Sequence, residues 1–97
     1  MRLYDDKDLT HEITVLDLGE GMAGEKKEYK FYLRNDSTAF MRDLELSIEH
    51  KEVKIEHPPN VGANDVIEFK VIWEPSVTIK QGLKAKLRIQ GIEVYRP

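Results

Sequence analysis

Apolar and polar side chains alternate with a period of two along most of this chain, and that alternation limits the fold more than any other feature. Tyr29, Phe31 and Leu33 alternate with Lys30, Tyr32 and Arg34; Leu44, Leu46 and Ile48 alternate with Glu45, Ser47 and Glu49. Ile67, Phe69, Val71 and Trp73 alternate with Glu68, Lys70, Ile72 and Glu74. A period of two sends successive side chains to opposite faces of a pleated sheet, so each run reads as a half-buried strand. Leu83, Ala85, Leu87 and Ile89 alternate with Lys84, Lys86, Arg88 and Gln90, and a shorter Ile92/Val94 pattern follows Gly91. That makes a final hairpin or one long bent strand. Val53-Lys54-Ile55 is a shorter candidate, and Ile13 to Leu18 is mixed, with Ile13 and Val15 on one parity and Leu16 and Leu18 on the other. A bulge or a switch between sheets reconciles the two parities.

Turn residues separate the runs: Gly19-Glu20-Gly21 with Gly24, Asn35-Asp36-Ser37-Thr38, Pro58-Pro59-Asn60 with Gly62, Asn64-Asp65, Pro75-Ser76 and Gln81-Gly82. No amphipathic helix lies between them. Strands at this spacing predict an all-β, antiparallel β-sandwich of about seven strands. Its expected core is Tyr29, Phe31, Leu33, Leu44, Leu46, Ile48, Ile67, Phe69, Val71, Trp73, Leu87 and Ile89. Residues 1–11 lack the alternation and read as a mobile or partner-ordered N-terminal arm, leaving 12–97 for the sandwich.

Composition narrows the function. At 97 residues the chain is one domain. Its 15 basic and 18 acidic side chains give a net charge of −3, which argues against nucleic acid or an anionic membrane as the main partner. The absence of cysteine removes disulfides, thiolate metal sites and cysteine nucleophiles. The start, Met1-Arg2-Leu3-Tyr4-Asp5-Asp6-Lys7-Asp8, is charged where a signal peptide is apolar, so the chain is expected to stay in the compartment of its synthesis.

No motif carries catalysis. His11, His50 and His57 are dispersed without metal-ligand spacing, and Ser37, Ser47 and Ser76 sit in no nucleophile elbow. Gly19-Glu20-Gly21-Met22-Ala23-Gly24 spells Gly-x-Gly-x-x-Gly, but a strand follows it rather than the helix a dinucleotide site needs. Asn35-Asp36-Ser37 matches a glycosylation sequon and, without secretion, reads as a turn. The expectation is a non-enzyme with no cofactor, metal or small-molecule substrate. Tyr32, Met41, Ile72 and Tyr95 are apolar on the outward parity, where aromatics can mark a binding face.

The segments LDLGEGMAGEKKEYKFYLRNDS, VKIEHPPNVGANDVIEFKVIWEPS and LKAKLRIQG resemble an immunoglobulin-like module of the abnormal-spindle/hydin kind. The likeness lies in an apolar strand, a glycine turn, an alternating strand ending in Asn, a Pro-rich loop and a strand end at Trp73-Glu74-Pro75. A small, acidic, cysteine-free sandwich also resembles the accessory immunoglobulin-like proteins of tailed bacteriophages. The resemblance implies a structural or binding module on a virion (capsid decoration, neck, tail or baseplate), assembled in the host cytoplasm and docking on a repeating protein surface, with self-association an option.

The alternative is a cytosolic interaction module of the abnormal-spindle or major-sperm-protein type that takes a peptide by strand addition. A carbohydrate-binding sandwich ranks third, since no cluster of aromatics is evident. The expected partner-contact residues are Tyr4 and Leu9 on the arm, with Tyr32, Ile72 and Tyr95 on the sandwich.

Overall fold

The structure is a computed structural model that describes residues 1–95. Its strands are β1 (Arg2–Tyr4), β2 (Glu12–Ile13), β3 (Leu16–Gly21), β4 (Lys27–Arg34), β5 (Phe40–Ser47), β6 (Val53–Glu56), β7 (Val66–Trp73), β8 (Ile79–Ala85) and β9 (Arg88–Val94). Among the described residues there is no helix. A five-stranded sheet has the order β2-β1-β4-β7-β6; against it lie the pairs β3-β8 and β5-β9. Every pairing is antiparallel. The chain is an all-β protein with the layered build of a β-sandwich.

Alternation dictates what is buried. Phe31 and Leu33 of β4 and Phe69, Val71 and Trp73 of β7 point inward from one layer, meeting Leu16 and Leu18 of β3 and Leu44 and Leu46 of β5 from the other. Tyr29, Ile48, Ile67, Leu87 and Ile89, also expected inside, are half-buried and pack around that cluster. Burying a large apolar side chain contributes about 1.5–3 kcal/mol, so this face supplies most of the driving force for folding. Tyr29 ties the layers further, its hydroxyl donating to the carbonyl of Leu18 across the core. Trp73 is fully buried against Gly21, where any Cβ would overlap the indole ring, so this glycine is fixed by close approach. Gly24 needs its left-handed φ of 80° for the turn in which its N–H donates to Pro75 O at 3.0 Å.

Three expectations change. Residues 1–11 are not separate from the sandwich, because β1 inserts between β2 and β4 and Leu3 joins the core, opposite Leu33. The β1–β2 loop is closed by Asp6, whose carboxylate accepts from Thr10 N at 3.0 Å and His11 N at 2.9 Å. Among the described residues the strand segments number nine rather than about seven, since β1 is added and the Ile13–Leu18 stretch divides. That division is the anticipated sheet switch: Ile13 pairs with Leu3 in the five-stranded sheet, whereas Leu16 pairs with Ala85 in the other layer. Met41, expected to face outward, packs against the core. An extra residue in β5, between the pairs Arg42↔Ile92 and Glu45↔Gln90, forms a bulge at Asp43 (φ 51°) and inverts the parity of everything before it.

Candidate interaction surface

Lys86 and Leu87 link β8 to β9 without a reversal, and the two strands do not pair with each other, so residues 79–94 run as one bent strand. Its first half pairs with β3 and its second half with β5. Along its other edge β9 pairs with no strand among the described residues. Natural edges are blunted by shortness, proline, bulges or charge. β9 is seven residues long and contains no proline, and the bulge in its ladder belongs to β5. By contrast, β8 carries an irregularity around Gly82, and β2 is only two residues long.

The bulge also shapes the outer face on the paired side of β9. By inverting β5 it turns Phe40 outward, opposite Val94, with Ile92 one step along. Phe40, Ile92 and Val94 are each 40–46 % exposed and Tyr95 is 62 % exposed, an apolar group on the outer face. Phe40, Val94 and Tyr95 line an open cleft of about 470 Å³ with Thr38, Gly62 and Ala63. The phenol of Tyr95 donates to the Glu93 carboxylate, and that bond raises its pKa above the ordinary tyrosine value.

Asn35 holds the two walls of the cleft in place. It is 1 % exposed, and its amide donates to Ala39 O at 2.7 Å and Gly62 O at 3.1 Å, one carbonyl beside each wall. Its Oδ1 accepts from Ser37 N at 3.1 Å and Ser37 Oγ at 2.7 Å, while its own N–H donates to Asp65 O at 2.8 Å. The sequon-like Asn35-Asp36-Ser37 is thus a turn, but one organised by a buried side chain. A buried amide with both ends satisfied rigidifies its surroundings.

The partner-contact residues expected from sequence are not brought together. Tyr4 is buried at 7 % exposure, opposite Tyr32 in the β1–β4 register, which removes it as a free contact. Leu9 is half-buried in the β1–β2 loop with φ 58°. Tyr32 and Ile72 are half-buried on the outer face of the five-stranded sheet, where Tyr32 donates to Glu68 at 3.2 Å. Only Tyr95 lies at the cleft. Sequence reading missed Phe40, because its parity is inverted by a bulge that only Asp43 marks, and passed over Ile92 and Val94 as ordinary strand residues.

The histidines remain apart, each with different neighbours. His11 Nδ1 pairs with Asp5 at 2.7 Å, the His50 ring stands edge-on to Trp73, and His57 Nδ1 lies 2.7 Å from Pro58 O. Among the described residues no group of His, Cys, Asp or Glu is arranged to hold a metal ion. Compared with models of known families, with curated proteins and with solved structures, the chain matches none.

Proposed function

We propose that the chain is a non-enzymatic, immunoglobulin-like protein-binding module that accepts an extended partner segment along the free edge of β9. One observation carries this reading: Arg88–Val94 has an edge with no proline, no bulge of its own and no strand partner among the described residues, and its Val94 also lines the exposed cleft with Phe40 and Tyr95. An added strand satisfies the edge's backbone N–H and C=O groups, and alternate side chains of that strand meet the outer face. The cleft is large enough to seat an anchoring side chain.

The setting we propose is a bacteriophage virion surface, on the strength of the sequence resemblance. There, many copies of a weak contact add up to firm attachment. Docking through the N-terminal arm drops out of this reading, because β1 is committed to the sheet. The strand edge and the cleft take its place.

Amide hydrogen exchange with an excess of an alternating valine–threonine peptide tests the binding mode. Slower exchange confined to 88–95 is expected; protection elsewhere, or nowhere, overturns it. The genes on either side test the setting. A neighbourhood without virion genes overturns that part and leaves strand addition standing.

A further inference from the structure

We infer that the segment accepted by β9 is acidic at one end and apolar at the other, laid antiparallel to β9. This inference rests on strand addition at β9. On the bent strand, Leu83, Leu87 and Ile89 pack toward the core, so Lys84, Lys86, Arg88, Gln90, Ile92 and Val94 share the opposite, outer face. Side chains two apart along a strand are about 6.6 Å from each other, which makes this a row of cations running into an apolar stretch.

Those cations lack partners. Lys84, Lys86 and Arg88 are exposed, and among the described residues no carboxylate lies within ion-pair distance of them. Asp17 stands opposite Lys84 in the β3–β8 register, yet its carboxylate is engaged by Gly19 N at 3.0 Å. On β5 the residue opposite Arg88 is Ser47, and Glu45 stands opposite Gln90. This row of exposed cations lies on a chain whose net charge is −3, beside an edge that no strand among the described residues covers.

Charge complementarity then specifies the occupant. Antiparallel to β9, a partner segment meets Val94 first, then Ile92, Gln90, Arg88 and Lys86. Opposite the first two it carries β-branched or aromatic residues, and opposite the last two it carries Asp or Glu. Apolar and oppositely charged cross-strand pairs are each favourable on a shared sheet face. The order also gives direction: a segment with acids at its N-terminal end meets the cations only by running parallel.

Selection of displayed random nine-residue peptides on the wild-type protein and on the Lys86→Glu/Arg88→Glu variant tests this. Wild type is expected to enrich alternating segments that are apolar first and acidic last, and the variant to replace the acids with Lys or Arg. A selected acidic peptide should bind the variant roughly tenfold more weakly at low salt. Enriched strands with no preference for acids overturn the charge inference and leave strand addition intact. Failure to enrich any alternating segment overturns both.

Discussion

The two layers of this sandwich carry the same alternation but finish their outer faces in opposite ways. On the five-stranded sheet, Lys30 stands directly opposite Lys70, a like-charge pair that would be unfavourable alone. The clash is relieved diagonally: Lys30 Nζ lies 3.9 Å from Glu68 and Lys70 Nζ 3.9 Å from Glu28, with Tyr32 donating to Glu68 at 3.2 Å. On the opposite layer, Lys86 and Arg88 face solvent beside exposed Ile92 and Val94. The lysines facing each other on the one sheet find carboxylates within the chain, whereas Lys86 and Arg88 on the other find none among the described residues and stand beside apolar surface. Identical patterning in sequence therefore does not mean an equivalent surface; what differs is whether a neighbouring strand brings the complementary group.

The sharpest way to break the comparison is through the core that both layers share. Trp73→Ala should cost about 3–5 kcal/mol, read as a large fall in the urea midpoint, because the indole fills the space against Gly21. At the stability ordinary for a small domain, that loss could unfold both layers together. A small shift would show that the layers do not depend on this contact.

Asn35→Ala comes next, at about 1–3 kcal/mol, since it removes the amide donor to the buried carbonyl of Ala39 and the half-buried carbonyl of Gly62. Faster amide exchange is expected on both walls of the cleft, with β6 little affected. Equal loosening everywhere would show that Asn35 stabilises the fold without organising the cleft.

On the outer faces the effects shrink and diverge. Glu68→Lys should cost about 0.5–1 kcal/mol and lose part of that penalty in high salt, because it leaves Lys30 and Tyr32 without their partner. Arg88→Glu should change stability by less than about 0.5 kcal/mol in chemical denaturation, as expected for an exposed residue with no ion-pair partner among the described residues. Equal costs at the two sites would erase the distinction between a closed face and an open one.

The smallest expected effect is acidic. The Thr10 hydroxyl, and then the His11 N–H, hold the Asp6 carboxyl below its ordinary value of 3.8. A depressed carboxyl stabilises the fold above its unfolded pKa and loses that contribution as pH falls through the folded one. The β1–β2 loop should therefore loosen only below about pH 4, and Thr10→Val should move the Asp6 titration, followed by carbon-13 NMR, back toward 3.8. An unmoved titration would assign the loop's order to other contacts.

The long alternating strands β4 and β7 were legible in the sequence because eight consecutive residues repeat one pattern in each. Short strands were not. β1 has only three residues, and Arg2-Leu3-Tyr4 shows too few turns of the period to separate a strand from an arm. Val61 is buried within a Pro-rich loop and belongs to no alternating run, its contact made by mutual hydrogen bonds with Met41 at 2.9 Å. The interaction surface was the least legible part. A single inserted residue at Asp43 exchanges Phe40 and Met41 between the faces, and parity counted from Leu44, Leu46 and Ile48 cannot register it. Tyr95 was found because a terminal aromatic outside any core parity stands out.

The pairing of Leu16 with Ala85 bears on how the chain is made. β3 leaves the ribosome more than fifty residues before β8, its strand partner among the described residues. Contacts this distant in sequence close slowly, and until they do β3 has no pairing strand to hold Leu16 and Leu18 over the other layer. Synthesis must therefore run through β8 before this protein can hide its own hydrophobic face, and a ribosome stalled short of β8 would hold an incompletely folded, aggregation-prone chain.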